Sequence, residues 1–410
     1  MQQMLVRVKR FMKKILFALS IVALTIGLAS ACPASTSTTE TQQQKKMAMY
    51  GIAFYNLENL FDTIHAPGKN DYDFLPNGPY RWNTKKYQSK LKNMSRVVSE
   101  LCTDKLPRVG AAVVGVSEVE NRSVVLDLVH QPALKDRGYR VLHVDSPDRR
   151  GVDCALLYNP RLFQLEDSLY VPYIYPDEKT GDKPLGFTVD SKKAVHATPL
   201  YGDTTHITRG FLVGIGRMGG ERVGIVVNHW PSRGAESPAR ERAGWQVRKL
   251  CDALYAMYDG DIKMIVMGDL NDDPDNKSMT EGMQCKFEAG KLKDGADFFN
   301  PWYYTLRKNP QLGTLMYQGK WNLFDQILVS GNAVDHSYDL KKAAKNQIKA
   351  SDLDLSHGLT FYRHDRFVRD YLFQQEGKYK GSPLRTTAGG TWLNGYSDHL
   401  PTQIYLIKEM

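Results

Sequence analysis

Along this chain, apolar runs of strand length recur, and most of them stop on a polar residue able to do chemistry. Tyr50 to Tyr55 ends on Asn56, and Gly110 to Val116 delivers Ser117, Glu118, Val119 and Glu120. Val223 to Val227 ends on Asn228 and His229, and Ile262 to Met267 stops at Gly268 before Asp269, Asn271 and Asp272. Such Val/Ile/Met runs, closed by Gly and by short polar side chains, predict buried strands with polar exit loops. Further strands are predicted at Val141 to Val144, Val152 to Tyr158 and Phe211 to Ile215, the last forming a hairpin around Met218-Gly-Gly220. Asn322 to Ser330 predicts a strand with Asp325 inside it, and Gln403 to Ile407 a final strand entered through Asp398 and His399.

Helical spacing marks two other stretches. From Tyr87 to Leu101, Leu91, Met94, Val97, Val98 and Leu101 recur on one face, so Lys90, Lys92, Ser95, Ser99 and Glu100 are expected to face away. A second helix starts with Ser237 as cap and Pro238 in its first turn, with Ala243, Val247, Leu250, Leu254 and Met257 as its buried stripe. It leads directly into the strand before Asp269, a strand–helix–strand unit of the α/β class. Segments 63–86, 161–208, 273–320 and 331–395 are polar and irregular. The chain has no internal repeat and no Gly-rich phosphate loop.

With 410 residues and 42% hydrophobic content, the chain can bury a full α/β core. The first 31 residues stand apart. Arg7, Lys9, Arg10, Lys13 and Lys14 precede an apolar run, Ile15 to Leu28, which ends in Ala29-Ser30-Ala31 before Cys32. This is the pattern of a secretory signal, too short to span a bilayer comfortably. Small residues before Cys32 and a Ser/Thr/Gln linker after it, in segment 32–46, resemble a lipoprotein signal, although Ala29 stands where Leu is usual. An exported, cell-envelope protein anchored to the membrane through Cys32 is therefore expected; plain cleavage before Cys32 and secretion is the alternative. The signal also carries five of the nine net positive charges, leaving +4, so charge alone does not point to nucleic acid. Cys102, Cys154, Cys251 and Cys285 fit no metal-ligand spacing, and buried thiols are expected, with a disulfide as the other outcome.

What remains is the chemistry gathered at strand edges: Asn56, Glu118, Asn228, His229, Asp269, Asn271, Asp325, Asp398 and His399. Carboxylates with an amide suit a hard cation, Mg²⁺ first, with Mn²⁺ or Ca²⁺ as alternatives; two histidines and an Asp add proton transfer and charge. Arg150, in a tight loop, is a candidate phosphate contact.

The motifs that hold these residues resemble the endonuclease/exonuclease/phosphatase superfamily, in its secreted bacterial, DNase I-like branch. They are Phe-Tyr-Asn-Leu-Glu-Asn around Asn56, Gly-Val-Ser-Glu-Val-Glu-Asn around Glu118, Asn-His-Trp-Pro-Ser-Arg at 228–233, Gly-Asp-Leu-Asn-Asp at 268–272, Phe-Asp-Gln-Ile-Leu at 324–328 and Ser-Asp-His-Leu-Pro at 397–401. They span residues 50 to 407, and Ser117 departs from the usual Gln. The resemblance implies one catalytic domain over 47–410, folded as a four-layer α/β sandwich, two mixed β-sheets packed face to face and flanked by helices. It implies Glu118 as main metal ligand with Asn56 and Asp398 nearby, and Asp269 and Asn271 on the attacking water. It pairs His399 with Asp325 as base or as stabiliser of the phosphorane, and sets His229 on the phosphate or the leaving oxygen; Asn228 and Arg150 would contact substrate. The implied activity is metal-dependent hydrolysis of a phosphodiester, first of nucleic acid, otherwise of a phospholipid, sphingomyelin or inositol phosphate. No obligate protein partner is implied. A surface lipoprotein using the fold only for binding is the reading from another class.

Overall fold

A computed structural model of the protein describes residues 46–173, 186–189, 195–198, 208–235 and 237–410. The expected signal segment, and the linker up to residue 45, lie outside the described residues, as does part of segment 161–208.

Twelve strands matter for the site. In chain order they are β1 Met47–Leu60, β2 Ala111–Val119, β3 Arg140–His143, β4 Asp153–Tyr158, β5 Phe163–Val171 and β6 Phe211–Met218. There follow β7 Glu221–His229, β8 Lys263–Asp269, β9 Phe298–Phe299, β10 Asp325–Ser330, β11 Thr360–Arg366 and β12 Thr402–Glu409. They form two six-stranded sheets, ordered β11-β12-β1-β2-β4-β3 and β9-β10-β8-β7-β6-β5. Period-two alternation sends one face of each strand inward. Ile52 and Phe54 of β1 meet Ile225, Val227, Ile265 and Met267 of β7 and β8 in the layer between the sheets.

The outer faces are covered by helices. Helix α1, Thr84–Glu100, starts where the Asn83 side chain accepts from Lys86 N–H, and packs with α2, Arg122–Val129, on Ala53, Tyr55, Val114 and Val116. Helix α3, Ser237–Met257, lays its predicted stripe of Ala243, Val247, Leu250, Leu254 and Met257 on Val213, Val226, Val266 and Leu328. The result is a helix–sheet–sheet–helix sandwich, as the resemblance implied. Each buried Leu, Ile or Val contributes about 1.5–3 kcal/mol, so these apolar layers dominate the fold's stability.

Several expectations need correction. Segments 161–208, 273–320 and 331–395 are not wholly irregular: each adds an edge strand to a six-stranded sheet, β5, β9 and β11, hidden from pattern reading because β5 and β11 have mostly half-exposed faces and β9 is two residues long. Asp325 does not lie inside its strand but begins it, because Asn322 closes a separate hairpin, Leu315–Tyr317 with Lys320–Asn322. Lys90 and Ser95 do not face solvent; both are buried on α1. Cys102, Cys154, Cys251 and Cys285 are buried free thiols.

Topology explains why strand exits and strand entrances share one edge. Each sheet has a parallel pair at its middle, β1 with β2 and β7 with β8, which puts Asn56, Glu118, His229 and Asp269 at the same end. Strands β10 and β12 run antiparallel to those pairs, so their beginnings, near Asp325 and His399, reach that end too.

Candidate active site

Backbone geometry aims the side chains. Gly268 is required immediately before Asp269, because a Cβ there would stand 2.4 Å from the Asn228 carbonyl oxygen on the neighbouring strand. Asn271 follows in the left-handed region at φ 52°. Strands β1 and β2 both bulge at the site: pairing shifts between Asn56 and Leu60 and between Ser117 and Val119. Glu58, Asn59 and Glu118 there take φ of 48°, 59° and 58°. Such φ values cost roughly 1–2 kcal/mol per residue and bulges re-aim side chains, so simple alternation fails here. Glu118 turns into the site, whereas Glu120 is buried elsewhere and accepts the Asp62 N–H at 2.7 Å.

Asp269 Oδ2 is the meeting point. Asn56 Nδ2 donates to it at 3.0 Å, and the Nε2 atoms of His229 and His399 lie 3.6 and 3.7 Å away. Its other oxygen accepts the Asn271 N–H at 3.0 Å. His399 Nδ1 is bonded to Asp325 Oδ2 at 2.8 Å, and its backbone N–H donates to Ser397 Oγ, whose hydroxyl in turn donates to the Asn56 carbonyl. On the far side, His229 Nε2 faces Glu118 Oε1 at 3.6 Å, and His399 Nε2 faces Asp398 Oδ1 at 3.9 Å. Separations of 3.6–3.9 Å are too long for direct hydrogen bonds, and short enough for one oxygen atom to touch several of these groups.

The two histidines hold opposite charge states. Burial pushes His229 well below its ordinary value, helped by the positive charges of Arg209 and Arg150 and by His399. Burial works the same way on His399, but Asp325 and Asp269 outweigh it and hold the ring protonated. Burial raises Asp269 to about 7, against the pull of His399 and with help from Asp325 and Glu118.

The donor set fits a hard divalent cation. It consists of carboxylate oxygens with an amide and has no thiol, and Asp325 Oδ1 is buried without a protein partner. One oxygen or nitrogen of each of Asp269, Asp325 and His399 lies within 4.8 Å of the others. Asp269 Oδ2 already accepts from Asn56 and Asp325 Oδ2 is bonded to His399, whereas Glu118 Oε1 and Asp398 Oδ1 face the cleft at 3.6 and 3.9 Å from the two histidines. Asn56 is less open than expected: Nδ2 serves Asp269 and Oδ1 accepts the Glu58 N–H at 2.8 Å.

Of the two expected substrate contacts, Arg150 stands about half exposed beside the site, close enough to lower His229's proton affinity. Asn228 does not reach the cleft. It is fully buried, with Nδ2 donating to the Val226 and Met267 carbonyls and Oδ1 accepting from Trp230 Nε1, so it props the strand end.

Pattern reading missed three cations. Arg209 is buried and donates to the His229 and Trp230 carbonyls at 3.0 and 3.1 Å and to Asp148 Oδ2 at 2.9 Å. It sits two residues before β6, antiparallel to β7, so the strand-entrance argument that singled out His399 applied to it as well. Lys90 donates to the Glu58 carbonyl at 2.9 Å, to Thr386 Oγ1 and to the Tyr396 carbonyl at 3.2 Å. Its place between Tyr87 and Met94 on the helix was the available signal. Arg385 bridges Glu58 Oε1, at 2.7 Å, and Asp398 Oδ2, at 3.0 Å. No local pattern marks it.

Fold and edge-on site together define a four-layer α/β sandwich of the DNase I-like class. The chain belongs to the endonuclease/exonuclease/phosphatase family, whose profile matches residues 51–183 and 169–408. Members of that family hydrolyse phosphate esters. Similar solved structures include an endonuclease/exonuclease/phosphatase family protein from Bacteroides thetaiotaomicron, at 15% identity, 89% and 100% coverage of this chain and that one, and TM-score 0.47. A mannosyl-6-phosphatase from the same organism matches at 15% identity, 87% and 99% coverage and TM-score 0.47. D. rerio TDP2, humanized by 14 mutations, matches at 14% identity, 87% and 98% coverage and TM-score 0.46. No curated protein matches the sequence.

Proposed function

We propose that this protein is a divalent-metal-dependent phosphoesterase that hydrolyses a phosphodiester by in-line attack of water. The observation that carries this reading is the convergence of Asn56, His229 and His399 on Asp269 Oδ2, with Asp325 behind His399.

Asp269, raised to about 7, accepts a proton from the attacking water, and the bonds from Asn56 and the Asn271 N–H hold its two oxygens in place. As the water oxygen bonds to phosphorus and the P–O bond to the leaving group breaks, the leaving oxygen taking its proton from solvent, His399 presents positive charge to the phosphorane oxygens. Asp325 fixes that ring's orientation. His229, held neutral, suits a hydrogen bond to a phosphate oxygen and not donation of a proton to the leaving group. Of the two roles the resemblance allowed for each histidine, the charge states thus favour stabilisation for His399 and phosphate contact for His229. Glu118 and Asp398 would hold a divalent ion, which would offset the negative charge on the phosphate oxygens when bound.

Within this class we place nucleic acid first, because Asn-Leu-Glu-Asn-Leu-Phe-Asp and Asn-His-Trp-Pro-Ser-Arg resemble secreted bacterial members of nuclease type. The test is a panel of plasmid DNA, RNA, sphingomyelin, inositol phosphates and a generic phosphodiester, incubated with the full chain with and without chelator. Hydrolysis of DNA or RNA that needs Mg²⁺ or Mn²⁺ is expected. Full activity in excess chelator would overturn the mechanism, and turnover of lipid or inositol phosphates alone would move the substrate and keep the chemistry. The N-terminal pattern adds export and a lipid on Cys32, and a mature N-terminal mass showing unmodified Cys32 removes the anchor.

A further inference from the structure

The mouth of the site is not symmetrical in charge. On one side Glu118 Oε2 accepts only a backbone bond, from Asn59 at 3.0 Å, and its Oε1 faces the neutral His229 at 3.6 Å. On the other side Glu58 and Asp398 are joined by a single guanidinium. Arg385 Nε donates to Glu58 Oε1 at 2.7 Å and Arg385 Nη2 reaches Asp398 Oδ2 at 3.0 Å. The remaining Glu58 oxygen accepts the Thr386 N–H at 2.8 Å, and Lys90 closes the pair from below through the Glu58 carbonyl. Glu58 is 5% exposed, so its carboxylate has little water to fall back on.

We propose that Arg385 is a built-in cation that occupies the Glu58–Asp398 half of the cleft and limits the site to one divalent ion, held by Glu118 and the free oxygen of Asp398. This rests on the metal-dependent reading above. A guanidinium does not deprotonate in proteins, so the charge is permanent. A second divalent ion would have to break two charge-assisted bonds and then sit beside that charge. Without Arg385, Glu58 and Asp398 become a carboxylate pair able to share an ion. Arg385 is thereby a positioning residue: it holds Asp398 with Oδ1 turned toward His399 and leaves Glu118 outside this bridge.

The test counts bound Mn²⁺ on the full chain by the loss of the free-ion electron paramagnetic resonance signal, with calorimetry for affinity. The wild type is expected to bind one ion. Arg385→Gln is expected to bind two, Arg385→Lys one, and the double variant R385Q/E58Q one again, since the second site loses its carboxylate. Two ions on the wild type, or one ion on R385Q, overturns the inference while leaving the metal-dependent reading intact. No Mn²⁺ bound to any form overturns both. Should R385Q not fold, R385M takes its place with the same expectation of two ions, and two ions on the wild type still overturns the inference.

Discussion

The inner and outer parts of the cleft are built on different principles. The inner group, Asn56, Asp269, Asp325 and His399, stands near the ends of β1, β8 and β10 and at the approach to β12, buried at the edge the two sheets share. Every member is fixed by a neighbour that the topology supplies. The outer group, Glu58, Lys90, Arg385 and Asp398, depends on a helix side chain and on the irregular segment near 382–396. Rigid strand ends set reacting distances; loop-borne cations set how much charge the cleft presents. With this division, the chemistry can be held constant while the mouth is retuned.

The sharpest way to break that contrast is at His399. His399→Ala is expected to lower kcat by about 10³-fold or more while substrate binding, measured separately, stays within a few-fold. Asp325→Asn, which keeps the ring but not its charge, should fall short of that loss. If both variants turn over normally, the inner group is structural, and a binding-only role is left.

Removing Lys90 probes the outer group by stability. It is fully buried, and burial draws it down to about 8 against the opposing pull of Glu58. Lys90→Met leaves Glu58, Thr386 and Tyr396 without their donor and should cost roughly 3 kcal/mol in chemical denaturation, since breaking a buried charge network from one side costs about 3–5 kcal/mol. A loss below about 1 kcal/mol would show that this network carries little of the fold.

The smallest effect lies away from the cleft, at His364 on β11, whose Nε2 is 2.9 Å from Thr305 Oγ1. Burial, with Arg363, lowers it to about 4 from an ordinary 6.5. Between those values the unfolded chain binds more protons than the folded one, so this contribution is complete above about pH 6.5 and fades toward pH 4. The residue keeps some contact with solvent, and with that discount the loss is about 2 kcal/mol. Relative to His364→Gln, the wild type should lose stability over that window and hold constant above it; parallel profiles would contradict the assignment.

How much was legible depends on how local the signal was. Strand and helix positions followed from periodicity, and Asp269, His399 and Glu118 stood out because a carboxylate or imidazole at the lip of an apolar run needs a partner. Glu118 against Glu120 could not be separated, because the bulge at Ser117–Val119 breaks the alternation on which such a choice rests. Asn228 looked as open as His229 until the sheet showed both ends of its amide already bonded. Lys90 looked solvent-facing because a charge on a helix usually is.

The order of residues fixes the strands, the helices and the polar side chains at strand ends, since each rests on neighbours a few positions apart; the four layers and the shared edge came from the family resemblance. Which charges meet is set by packing across the fold: Arg385 reaches Glu58 across 327 positions, and Asn56 reaches Asp269 across 213. The physical reason is that periodicity reports which face of an element is dry, while the partner of a buried charge is chosen by packing between elements, and no run of sequence encodes that contact locally.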